Sequence, residues 1–176
     1  MDTMTEADLP IIETSDEHDE AVFIQNLVAG IQAGATIKEL RGVTDEVLEG
    51  VYAYAHRFYV SGQLDEAETF FRFLYLYDVY NGEYALGLGA VHHMKREYQK
   101  AIDMYALAFA LTKNDYRPMF HVGQCQLALK KLAIARTCFE TVAGKAGDEK
   151  LVARAGVYLE AIRSSQDSGG PSGESE

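Results

Sequence analysis

The chain has 176 residues, 48% of them hydrophobic, with only three prolines and a net charge of −11. That length suits one domain or a short repeat array and is enough to bury a sizeable core. No run approaches the roughly 18 apolar residues of a membrane span, and no concentrated basic surface exists, so neither a membrane nor nucleic acid is an expected direct partner.

Residues 1–30 hold eight acids and no lysine or arginine, and residues 164–176 add three acids. Sixteen acids then face sixteen bases over residues 31–163, so the body is near neutral and the tails carry the imbalance. We expect disordered, solubilising tails at 1–18 and 164–176 around an all-helical repeat domain at 19–163. The start MDTMTEADLP lacks the basic lead of a secretory signal. Cys125 and Cys138 form no CxxC pair, as in a reduced cytoplasmic protein.

In chain order, DEAVFIQNLVAGIQA at 19–33 puts Val22, Leu27 and Ile31 on one helical stripe. Gly34 is a candidate helix stop and Thr36 a candidate cap within GATIKELRG. Thr44 is then expected to cap a helix with Val47, Leu48 and Val51 inward. From here a 34-residue period sets in. Ala67, Ala101 and Ala135 coincide, as do Phe71, Tyr105 and Phe139, then Ala55, Gly89 and Gly123, and Tyr54, Leu88 and Val122. Small, alanine and aromatic columns at these offsets are the signature of tetratricopeptide repeats. The fold class is therefore all-α: three helix–turn–helix repeats at about 48–81, 82–115 and 116–149. The first helices fall near 48–61, 82–94 and 116–129, the second near 64–78, 98–112 and 132–144. A cap helix at about 148–163 turns Leu151, Ala155, Tyr158 and Ile162 inward, because the last repeat of an array has an uncovered apolar face.

In such arrays the first helices line a concave groove through repeat positions 2, 5, 9 and 12. Those positions are Glu49, Tyr52, His56 and Tyr59, then Glu83, Leu86, Ala90 and His93, then Arg117, Phe120, Gln124 and Leu127. The candidate peptide-binding set is Tyr52, His56, Tyr59, Leu86, Ala90, His93, Phe120, Gln124 and Leu127, an aromatic and apolar surface with few charges. Tyrosine and phenylalanine bury large area with few rotors to freeze, which suits an extended peptide. A clamp for a C-terminal carboxylate would need Lys and Asn where Tyr52 and His56 stand. The adjacent His92 and His93 point about 100° apart on a helix and cannot chelate one metal together. His92 falls at a packing position and His93 on the groove. We expect no metal, no cofactor and no enzyme activity: no catalytic triad order or phosphate-binding glycine loop occurs, and Cys125, one turn from His121, reads as a packed core thiol.

The tyrosine-rich stretch EGVYAYAHRFYVSGQ, with DEAETFFRFL at 65–74, YALAFAL at 105–111, KNDYRP at 113–118 and GQCQL at 123–127, resembles the class II chaperones of type III secretion, in the subgroup of SicA and IpgC. The resemblance runs from about residue 21 to residue 163. It implies a cytoplasmic chaperone for two hydrophobic translocator proteins, holding a Pro-x-Leu-x-x-Pro-like segment near each translocator's N-terminus. It further implies groove roles for Tyr52, Tyr59 and Phe120, pairing with an AraC-type transcription regulator, and homodimers through N-terminal helices, here Val22, Leu27 and Ile31. His56 departs from the family, whose members often carry an aromatic there. The repeat columns alone leave a second reading open, a general tetratricopeptide scaffold for other cytoplasmic peptides.

Overall fold

The computed structural model describes residues 22, 25, 28–30 and 32–167, which fall into two units, Met1–Gly42 and Val43–Glu176. In the first unit, residues 22, 25, 28–30 and 32 are helical, and the chain leaves this helix at Gly34 with φ +82°. Helix α1 (Ile37–Arg41) opens on a reciprocal cap: the Glu39 amide donates to the Thr36 hydroxyl at 3.3 Å and the Thr36 amide to the Glu39 carboxylate at 2.8 Å. Val22 is exposed; Leu27, Ile31 and the tails expected at 1–18 and beyond residue 167 lie outside the described residues.

Among the described residues the second unit is a run of seven helices: α2 (Asp45–Val60), α3 (Leu64–Tyr77), α4 (Gly82–Met94), α5 (Tyr98–Leu111), α6 (Arg117–Ala128), α7 (Leu132–Lys145) and α8 (Glu149–Asp167). Each packs on its neighbour in sequence, as expected of a solenoid. The ends of α2–α7 lie within three residues of those expected from the period. Helix α8 runs four residues further than the expected cap, through Ser164–Asp167, where the Ser164 and Ser165 hydroxyls bond back to the carbonyls of Glu160 and Ile162.

The repeating columns are close-approach points. A Cβ on Gly89 would lie 2.7 Å from the Tyr105 ring, and one on Gly123 2.8 Å from the Phe139 ring. Ala55, Ala67, Ala101 and Ala135 are fully buried, and Phe71, Tyr105 and Phe139 are at most 2% exposed. The aromatic of each second helix thus seats on the small residue of a first helix. Helix α8 keeps this register: Gln124 of α6 donates to the hydroxyl of Tyr158, 34 residues on, at 2.8 Å. It stands in the register of a repeat's first helix. Val157, at the small-residue column, is 66% exposed, and among the described residues no later helix packs on it.

Each repeat turns through the same motif. Gly62, Arg96 and Lys130 stand 34 residues apart with φ of +77°, +62° and +60°. Their amides donate to the carbonyls of Tyr59, His93 and Leu127, while the next amides reach Phe58, His92 and Gln126, a Schellman ending in each case. A left-handed conformation costs a side-chain-bearing residue about 1–2 kcal/mol, partly offset by the greater chain entropy a glycine loses on folding. Arg96 and Lys130 are exposed. Arg96→Gly and Lys130→Gly should therefore each raise stability by about 0.5–1 kcal/mol in urea unfolding, while Gly62→Ala should lower it.

His92 takes the packing position expected of it. His92 is 7% exposed, and its Nδ1 lies 2.7 Å from a Glu97 carboxylate oxygen. Nearby, the Lys95 ammonium donates to Asp65 at 2.7 Å and to Glu68 at 2.6 Å. Ligand atoms of Glu68, His92 and Glu97 come within 4.8 Å of one another. Lys95 and Lys100 already hold these carboxylates, so the cluster acts as a charge knot joining the first two repeats.

Candidate functional site

Helices α2, α4 and α6 supply one face of the second unit. A cavity of about 210 Å³ opens on it, lined by Tyr52, His56, Tyr59, Phe71, Glu83, Leu86, Gly87, Ala90, Arg117 and His121. Tyr52 is half-buried, edge-on to Phe71 at 5.7 Å, tilted on Tyr84 at 6.1 Å and stacked over His56 at 6.5 Å between ring centroids. Its neighbour at the next inward turn, Tyr59, is half-buried as well. Burial, with the Glu83 carboxylate adding to it, pushes the Tyr52 hydroxyl above its ordinary range, and burial alone does so for Tyr59. Both stay neutral hydrogen-bonding groups at physiological pH. The floor is made by absence: Ala90 is small, and a Cβ on Gly87 would lie 2.2 Å from the Phe71 ring.

The structure thus brings together Tyr52, His56, Tyr59, Leu86 and Ala90 of the expected set around one cavity. His93 is set one ring further along, edge-on to His121 at 6.3 Å and to Tyr105 at 6.2 Å. Gln124 is bonded to His121, and Leu127 packs on the C-terminal core cluster. Phe120 corrects the expectation. It is fully buried, edge-on to Phe139 and Tyr158, with the Arg154 guanidinium 4.5 Å over its ring. The cap helix closes over position 5 of the third repeat and draws Phe120 into the core, so position 6, His121, reaches the cavity instead. The stripe of positions 2, 5, 9 and 12 missed this. The available signal was Gly87, which vacates the same repeat position in the preceding copy.

Charge enters at one lip. Arg117 bonds to Glu83, its equivalent in the preceding repeat, and donates to Asp115 from Nη2 at 2.7 Å and Nε at 3.0 Å. Burial favours a neutral Asp115, but the Arg117 hydrogen bonds outweigh it and hold the carboxyl below its usual range. One guanidinium thus faces two carboxylates, so this lip carries a net negative charge beside the aromatic wall. A second opening of about 300 Å³ adjoins it around Asp45, Glu49, Tyr52, Asn81, Glu83 and Tyr84. Cys125 has no exposed surface, and burial pushes its thiol up to about 12, so it is protonated and unreactive at neutral pH.

The tetratricopeptide-repeat family matches residues 48–81 and 83–115, the first two of the three expected repeats. The chaperone SicA of Salmonella typhimurium is 53% identical over 136 residues, covering 77% of this chain and 82% of SicA. The chain belongs to the class II chaperones of type III secretion translocators. Two solved structures place this chaperone's fold beside those of cargo-bound relatives. PcrH of Pseudomonas aeruginosa, in complex with the chaperone-binding region of PopD, is 32% identical, covers 72% of this chain and 98% of that one, and superposes with a TM-score of 0.67. The Yersinia enterocolitica chaperone SycD, with a peptide of the translocator YopD, is 27% identical, covers 70% and 98%, and superposes at 0.66. These relatives are chaperones, not enzymes. Among the described residues no helix is long and apolar enough to cross a membrane.

Proposed function

We propose that this chaperone holds a short extended segment near the N-terminus of each of two hydrophobic translocators, of Pro-x-Leu-x-x-Pro type, in the cavity between Tyr52, Tyr59 and Leu86. It does so in the bacterial cytoplasm before export. The observation that carries this reading is the aromatic cavity of about 210 Å³ on the inner face of α2 and α4, in a chain 53% identical to SicA. An uncovered membrane-inserting segment aggregates in water. A chaperone without a nucleotide site acts by mass action, binding one state of its cargo and releasing it to the export machinery. Co-expression with the translocators encoded beside it should move them from inclusion bodies into a soluble complex. Translocators that aggregate regardless would overturn the reading and leave a general tetratricopeptide scaffold.

The family resemblance supports two further roles: co-activation of transcription with an AraC-type regulator, and homodimerisation through the segment carrying Val22, Leu27 and Ile31. A reporter driven by that regulator, with and without the chaperone, tests the first. Sedimentation of a chain with charges at Val22 and Leu27 tests the second.

A further inference from the structure

The groove face carries one polar relay that the cargo-binding tyrosines do not explain. His121 Nδ1 lies 2.9 Å from Gln124 Oε1, and Gln124 Nε2 donates to the Tyr158 hydroxyl at 2.8 Å. With Gln124 presenting its Oε1 to the ring, His121 Nδ1 carries the proton, because an amide oxygen only accepts. Its other nitrogen, Nε2, is then an acceptor, and it has no hydrogen-bond partner among the described residues. The imidazole itself is fixed: it stacks on Tyr105 at 5.2 Å and is met edge-on by Phe120 at 5.7 Å and His93 at 6.3 Å. His121 lines the cavity. An extended peptide presents backbone N–H groups and few acceptor-seeking alternatives, and apolar walls leave those donors unsatisfied unless the groove supplies an acceptor.

We propose that His121 is the hydrogen-bond acceptor for a backbone N–H of the cargo, locked in that tautomer by Gln124 and Tyr158, and that its protonation weakens cargo binding. The proposal rests on the peptide-groove reading above. Protonation would replace the acceptor with a donor and place a cation against a peptide N–H. The surroundings set the range in which this occurs. His93 faces the ring from α4 and Tyr105 from α5, Arg117 and Asp115 flank it at the start of α6, and Arg154 and Tyr158 lie on α8. Burial comes first in lowering the His121 pKa; the Gln124 bond raises it, and His93, Arg154 and Arg117 lower it. The net direction is down, so the ring is mostly neutral at pH 7 and charges only below the ordinary histidine range.

The test uses the full chain and a tryptophan-bearing peptide from a translocator N-terminal region, titrated at pH 7.5 and 5.5. Wild type should lose affinity on acidification, by less than tenfold at pH 5.5 because the His121 pKa lies below its ordinary value. His121→Phe keeps a flat ring over Tyr105 but has no acceptor; it should bind about five- to tenfold more weakly at pH 7.5, the size of one net hydrogen bond, and show little further loss at pH 5.5. Tyr158→Phe releases the relay away from the cavity and should reduce the pH 7.5 affinity in the same direction. Long-range nitrogen–proton NMR of the free chaperone should show His121 protonated on Nδ1, a readout that does not depend on cargo or on variant folding. An Nε2-protonated ring, or a pH response that survives His121→Phe and so belongs to His56 or His93, overturns the inference. A wild type that binds no peptide at either pH instead overturns the groove reading itself.

Discussion

Replacing Tyr52 and Tyr59 together by alanine should lower the affinity for a translocator peptide by about 100-fold or more, from around micromolar to beyond practical titration. Each ring is half-buried at the cavity wall, so each has face left to give to a ligand while its own packing fixes its rotamer. Hot-spot tyrosines of this kind carry roughly 2 kcal/mol each, less what non-additivity removes. The chain contains no tryptophan, so the emission of a tryptophan on the peptide reports binding without background from that residue type. Tyr52 also packs on Phe71 and Tyr84, so its truncation costs some stability. Helicity and the urea midpoint of the double variant separate that loss from lost recognition. Tyr59→Ala alone should keep most of the stability and still lose about tenfold or more in affinity. Undiminished binding by a folded double variant would move the cargo site off this face.

Much of this was legible because the physics of stacking repeats is written in columns. Gly89 with Tyr105 and Gly123 with Phe139 are contacts between residues a fixed distance apart in sequence, and all four stand in the repeating columns. The groove tyrosines followed, since Tyr52, His56 and Tyr59 share one face of a straight helix. The failures mark where tertiary context overrides the repeat. Phe120 occupies a groove position by number, but the cap helix supplies Tyr158 and Arg154 to cover it, which no preceding repeat does for Tyr52 or Leu86. His121 inherits the exposure Phe120 loses. The Glu83–Arg117 contact was visible as two charges at one repeat position but not as an ion pair shared with Asp115. The left-handed turns at Arg96 and Lys130 were hidden because only Gly62, among the three equivalents, announces its conformation.

The largest stability effect should come from the C-terminal core. Phe139→Ala is expected to cost about 3–5 kcal/mol, the usual range for emptying a fully buried phenylalanine site, out of a total of about 5–15. The Phe139 ring has no exposed surface. It sits over Gly123, stacks on Tyr158 at 4.7 Å and meets Phe120 edge-on at 5.5 Å. It is therefore the shared contact of α6, α7 and α8, and the glycine beneath it has no side chain with which to refill the void. In a solenoid each helix pair is held by its neighbours only, so the loss should be local: α8 should detach before the first two repeats unfold. Urea unfolding followed by circular dichroism should show a lower midpoint and a broadened or biphasic transition with a reduced apparent slope. Phe139→Leu, which keeps most of the volume, should cost well under half as much. A single sharp transition displaced by less than about 1 kcal/mol would mean that α6–α8 collapse onto the vacancy. Because Phe120 and Tyr158 also brace His121 through its ring contact and the Gln124 bond, Phe139→Ala should weaken cargo binding even where α2 and α4 remain folded. Cargo at saturating concentration should then return part of the lost midpoint.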